Sequence, residues 1–201
     1  MHRYYQKNLK KWHKTLNSYM NYISYELESL TGQSYDTLIQ EIWTNYQDEM
    51  LERFPYIGGD AASGTKNLIG AYMFVSMGEV LKKYGVTTAQ SGHLMILIYE
   101  RQFKKIPSFL RSIMGKIFTN PRFLTKIFLK KDRKNALNAA QNPPEKGYDF
   151  SYHNLVCPLV DFAKKYGYEE YMPYLCNLDY VMFGILGAPL YREHTCFDDD
   201  Y

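Results

Sequence analysis

Leu9, Trp12, Leu16, Tyr19, Ile23 and Leu27 recur three or four residues apart before Gly32, a spacing that leaves this stretch few options other than helix. The period puts all six side chains on one face, and a face so apolar is stable only against a partner. The pattern predicts a long helix over about 4–31. Ser34 can cap a second helix, Tyr35 to Phe54, whose stripe holds Leu38, Ile42, Tyr46, Met50 and Leu51 and which must end before Pro55. The following Pro55-Tyr-Ile-Gly-Gly-Asp60 reads as an ordered turn in which Gly58 and Gly59 permit backbone angles or close approaches denied to other residues. A third helix is predicted from Lys66 to Tyr84, stopped by Gly85, and a fourth from a cap at Thr88 to Lys105, before Pro107.

Ser108 to Ala140 should contain a short helix and then a basic amphipathic one starting near Pro121. Asn142-Pro-Pro-Glu-Lys-Gly147 breaks the helical pattern. Beyond it Tyr148, Phe150 and Tyr152 alternate with polar residues, as a short strand would. Helices follow over Pro158 to Tyr166 and Glu169 to Leu186, and Pro189 to Phe197 is a second candidate strand with Leu190, Arg192 and His194 on one face. The expectation is a single α+β domain over 1–201: a long N-terminal helix about 4–31, a helical core about 34–140, and a C-terminal α+β part about 147–201. Its mainly helical body would carry a small antiparallel sheet built from the C-terminal segments.

The 201 residues suffice for one hydrophobic core, and 46% hydrophobic with 22% charged residues is the balance of a folded protein. Twenty tyrosines predict many half-buried positions whose hydroxyls need partners. A net charge of +3 does not by itself imply nucleic acid, and none is expected as a partner. The first 20 residues lack the apolar run of a secretion signal, and Leu68 to Leu81 is too short to span a bilayer, so a cytoplasmic protein without an integral membrane segment is expected. Three cysteines, Cys157, Cys176 and Cys196, give no disulfide framework and fit reduced thiols.

Cys176 and Asp179 are three residues apart on one helix face, where a carboxylate can take a proton or orient a water. The carboxylate's charge would also raise the thiol's pKa, and a buried thiol beside a structural carboxylate fits the spacing equally well. Cys157, just before Pro158, sits where a helix N-terminus can lower a thiol pKa, though a packed thiol remains an equal alternative. Arg192 can hold a substrate carboxylate and Thr195 can donate a hydrogen bond; a strand-face ion pair is the competing explanation for Arg192. His194, Cys196 and Asp198 lack the paired spacing of a metal centre, so neither metal nor cofactor is expected. His153 beside aromatic residues is either an acid–base group or structural. The Lys116 to Lys134 segment interleaves cations with Ile117, Phe118, Phe123 and Phe128, which fits an anionic surface but is explained more simply by an amphipathic helix on the core.

Several stretches, taken in order, resemble the L-2-amino-thiazoline-4-carboxylic acid hydrolase family. They are Phe54-Pro-Tyr-Ile-Gly-Gly59 with Asn67-Leu-Ile-Gly70, then Gly78-Glu-Val-Leu-Lys-Lys-Tyr-Gly85 and Ile98-Tyr-Glu-Arg-Gln-Phe103. Tyr148-Asp-Phe, Cys157, Met172-Pro-Tyr-Leu-Cys-Asn-Leu-Asp179 and Leu190-Tyr-Arg-Glu-His-Thr195 complete the set. The chain departs from the family pattern at Asp198 to Asp200, where a glycine usually stands, and it lacks a further Cys-Asp-Phe, as a truncated end would. The resemblance implies a hydrolase acting on a carbon–nitrogen bond of a cyclic amidine, opening 2-amino-thiazoline-4-carboxylate to N-carbamoyl-cysteine. It assigns Asp179 as base or water orienter, Cys157 or Cys176 as nucleophile or polar wall, and Arg192 as carboxylate anchor, with Thr195, Gly58, Gly59 and Asn67 lining the substrate. A non-catalytic small-molecule binding or sensing module of the same fold is the alternative.

Overall fold

A computed structural model describes residues 1–124, 138–140, 146–147, 152–154 and 156–198. The expected N-terminal helix is present as three consecutive pieces: α1 (Arg3–Lys7), α2 (Leu9–Met20) and α3 (Ser24–Thr31). Asn8 interrupts the first junction, its side chain donating to the Tyr4 carbonyl, and a 3₁₀ turn over Asn21–Ile23 makes the second. The stripe survives both breaks, because Trp12, Leu16, Met20, Ile23 and Leu27 are all buried. Gly32, at φ 68°, ends α3 in the left-handed conformation glycine adopts without strain. Ser34 caps α4 (Tyr35–Asn45), accepting from the Thr37 amide, and the helix runs on as a π turn through Tyr46–Leu51.

The core is organised around α5 (Ser63–Lys82), which has no exposed residue from Leu68 to Leu81 and is accordingly apolar around nearly its whole circumference there. Two buried hydroxyls join it to the helix before it. The Tyr46 hydroxyl donates to the Ile69 carbonyl at 2.9 Å, and Ser76 Oγ donates to the Ile42 carbonyl at 2.8 Å, tying α4 to α5. Helix α6 (Thr88–Lys104) opens with a reciprocal capping box between Thr87 and Gln90, one residue earlier than the Thr88 cap expected from sequence. Next come α7 (Ser108–Phe118), α8 (Pro121–Leu124), α9 (Pro158–Tyr166) and α10 (Met172–Leu186). Helix α10 lies along α6, where Gly92 admits the ring of Tyr174; a Cβ there would stand 2.1 Å from that ring. Phe54, Tyr72 and Phe162 meet edge-to-face where α5 and α9 join, with centroids 4.6–5.7 Å apart.

The α+β class is corrected: the protein is predominantly helical, and among the described residues the anticipated sheet joining the C-terminal segments does not form. Pro189 to Phe197 is irregular rather than a strand. Its alternating pattern is overridden because side chains satisfy the backbone there. The Tyr180 hydroxyl donates to the Arg192 carbonyl and Asp198 accepts from the Thr195 amide, so no neighbouring strand is needed. The sole extended pairing among the described residues is a three-residue ladder, Asn138–Ala140 against Tyr152–Asn154, too short to form a layer. Tyr148 and Phe150 of the expected strand lie outside the described residues, as does most of the basic segment after Leu124. No described helix is long and apolar enough to cross a membrane.

Candidate active site

Cys157 is the N-cap of α9, with Pro158 in the first turn, where a missing N–H costs nothing. The helix's unpaired amides at Leu159 and Val160 lie close enough to the Cys157 sulfur to favour its thiolate, without a capping hydrogen bond. The thiol of Cys196, brought in by the irregular segment after α10, hydrogen-bonds to it. The Cys196 hydrogen bond is the largest influence on Cys157. It outweighs burial, and with the two amides it holds the thiol down to about 7, against an ordinary value of 9.0. Reciprocally, Cys196 is pushed upward, first by that same hydrogen bond and then by burial.

Cys176 projects from α10 toward the same place. Burial lifts its thiol to about 11, and the charges of Cys157 and Asp179 add to the effect while Arg192 opposes it. One turn on, Asp179 is half exposed; burial raises its carboxyl and Arg192 opposes. Arg192 is fixed from three sides. Its Nη2 donates to the Cys176 carbonyl at 2.8 Å, its Nη1 stands 3.5 Å from Asp179 Oδ2, and its guanidinium lies 5.0 Å above the Tyr180 ring. Thr195 closes a small turn, its amide and hydroxyl both donating to Asp198 at 2.9 and 2.7 Å, and it also reaches the Cys176 sulfur. Tyr72 braces the opposite wall by donating to the Leu159 carbonyl at 2.7 Å.

Five of the sequence-selected residues thus meet: Cys157, Cys176, Asp179, Arg192 and Thr195. The other three lie elsewhere in the described contacts. Gly58 (φ 112°) and Gly59 (φ 57°) form the turn before α5, where Gly59 packs against the ring of Tyr4. Asn67 is exposed on α5. Sequence reasoning considered Cys196 only as a metal ligand and missed it as a thiol donor. Its place after the Thr195 turn was a usable signal, but its partner lies 39 residues away along the chain (196 minus 157), beyond the reach of spacing rules. Among the described residues no three His, Cys, Asp or Glu side chains are grouped to hold a metal.

The arrangement is a thiol of lowered pKa at a helix N-terminus, with a carboxylate and an arginine one helix away. Such a set suits attack on an electrophilic carbon of a small anionic substrate. No curated protein and no solved structure matches the chain. The family model described as L-2-amino-thiazoline-4-carboxylic acid hydrolase matches residues 70–198, a span that holds all three cysteines, Asp179, Arg192 and Thr195 but not Gly58, Gly59 or Asn67. The chain belongs to the L-2-amino-thiazoline-4-carboxylic acid hydrolase family.

Proposed function

We propose that this protein hydrolyses 2-amino-thiazoline-4-carboxylate or a closely similar cyclic amidine, with Cys157 as nucleophile. The observation that carries the reading is the place of Cys157 at the start of α9, beside two unpaired helix amides and hydrogen-bonded to the Cys196 thiol. Cys176, lifted to about 11, is protonated at neutral pH and serves as a polar wall. Arg192 anchors the substrate carboxylate, exchanging its 3.5 Å contact with Asp179 for a bidentate one. Asp179, released from that contact, is the base that activates water.

Atom balance fixes which bond opens. N-carbamoyl-cysteine keeps both nitrogens on the former ring carbon, so net addition of water to reach that product breaks the ring carbon–sulfur bond rather than a carbon–nitrogen bond. The Cys157 thiolate adds to the amidine carbon, and the ring sulfur leaves and takes a proton. Water, deprotonated by Asp179, then displaces Cys157 and supplies the urea oxygen. Each step uses groups already placed, and none needs an oxidant or reductant.

The test follows loss of the thiazoline and appearance of a free thiol in purified protein. Turnover is expected in the wild type, with Cys157→Ser and Asp179→Asn reducing kcat by about a hundredfold or more and Arg192→Ala acting chiefly on KM. Undiminished turnover in a folded Cys157→Ser variant removes the covalent step. Saturable binding without product in the wild type replaces the enzyme by a binding module.

A further inference from the structure

Helix α7 packs on α10 through one side only. Gly115 lies so close to the Leu186 carbonyl that a Cβ would stand 2.0 Å from its oxygen, and Phe118 meets Phe183 edge-on at 5.8 Å. At 100° per residue the opposite side of α7 carries Phe109, Ile113 and Ile117, one turn apart, with Leu110 beside them. These side chains are left largely or partly open to solvent: Phe109 is 63% exposed, Ile113 50%, Leu110 40% and Ile117 37%, and Phe123 of α8 is exposed as well. Isolated apolar residues on a surface are ordinary, but a contiguous strip on a helix already packed by its other face marks a contact with something else.

The surrounding charge says what that contact is. From Arg101 to Lys131 the chain carries nine Lys or Arg residues and no Asp or Glu. Arg101 is held by Glu26 and Lys104 by Glu100, while Lys105, Lys116 and Arg122 stand exposed near the strip, Lys105 over the ring of Tyr22. A second copy meeting this strip across a two-fold axis would set cation against cation. Nucleic acid would satisfy the cations but gain little from Leu110, Ile113 and Ile117, which offer no ring for a base to stack on. An anionic lipid surface takes both: the acyl boundary accepts the apolar strip and the headgroups accept the cations. We propose that α7 seats this protein on anionic phospholipid bilayers, lying in the interfacial plane with Phe109, Ile113 and Ile117 below the headgroups and Lys116 and Arg122 against them.

The experiment is flotation of the full chain with vesicles of phosphatidylcholine, alone or mixed with phosphatidylserine. Binding is expected only to the phosphatidylserine vesicles, and it should fall steeply as salt is raised. The double variant Phe109→Ser, Ile113→Ser should lower the partition coefficient roughly a hundredfold, about tenfold for each large side chain. Lys116→Glu with Arg122→Glu should lower it at least about twenty-five-fold, about fivefold per cation. Tyr25→Ser, on the still more exposed Tyr25 of α3, should leave it unchanged, and thermal unfolding confirms that each variant is folded. No binding to phosphatidylserine vesicles at low salt, or equal binding to phosphatidylcholine alone, overturns the proposal. So does equal loss in Tyr25→Ser, a dimer that Phe109→Ser, Ile113→Ser dissociates in the absence of lipid binding, or binding to a structured RNA that vesicles do not compete away.

Discussion

Substituting alanine for Cys196 removes the strongest influence holding the Cys157 thiol down near 7, while the amides of Leu159 and Val160 stay in place. A thiol titrating at about 7 is half thiolate at pH 7, whereas one returned to the ordinary 9.0 is about one per cent thiolate, a loss of roughly fiftyfold. The more basic thiolate is intrinsically more nucleophilic, by about eightfold for a Brønsted coefficient near 0.45, so the net slowing at pH 7 is only about sixfold. The sharper readout is the midpoint of the pH–rate curve. Iodoacetamide alkylation from pH 6 to 10, resolved by peptide mass spectrometry, follows Cys157 apart from Cys176, whose burial lifts it to about 11. The wild-type midpoint is expected near 7, and that of Cys196→Ala more than one pH unit higher. Cys196→Ser should fall between them because its hydroxyl can still donate. The sign is set by the direction of the shift: Cys157 titrates below an ordinary thiol, so thiolate prevails above about pH 7 and is lost as pH falls through it. The proposed turnover should therefore fade on the acid side. An identical midpoint in wild type and Cys196→Ala refutes the reasoning, as does a wild-type midpoint at 9.

Two further outcomes test the scaffold. Gly92→Ala forces a Cβ to within 2.1 Å of the Tyr174 ring and should cost about 1–3 kcal/mol in urea unfolding, with much of that loss absent when the change is made in a Tyr174→Ala background. Ser76→Ala deletes the buried hydroxyl that donates to the Ile42 carbonyl and should cost about 1 kcal/mol, seen as a lower urea midpoint with an unchanged slope.

The helical body was legible from the sequence because most helices carry an apolar stripe or run bounded by start and stop signals: Ser34 caps, Gly32 and Gly167 terminate, and Pro158 opens. The breaks at Asn8 and Asn21–Ile23 were not, since the apolar spacing continues through them. The period-two pattern from Pro189 to Phe197 misled for a different reason. Alternation describes only the faces a segment could present, whereas a strand also needs a neighbour. Here Tyr180 and Asp198 answer the backbone groups first. Within the site, the Cys176–Asp179 spacing and the helix-start position of Cys157 are local facts and could be read. The Cys157–Cys196 hydrogen bond is made by tertiary packing alone, and no window of sequence contains it.

Arg192, Thr195 and Cys196 reach the site from an irregular segment held by a few side-chain hydrogen bonds, whereas Cys157, Cys176 and Asp179 ride on packed helices. Variation can therefore act on the two halves separately. Substitutions between Pro189 and Thr195, where no described residue is buried, alter what Cys157 meets with little effect on the helical core, so a library confined to those positions is the place to look for altered ligand choice in folded descendants of this chain.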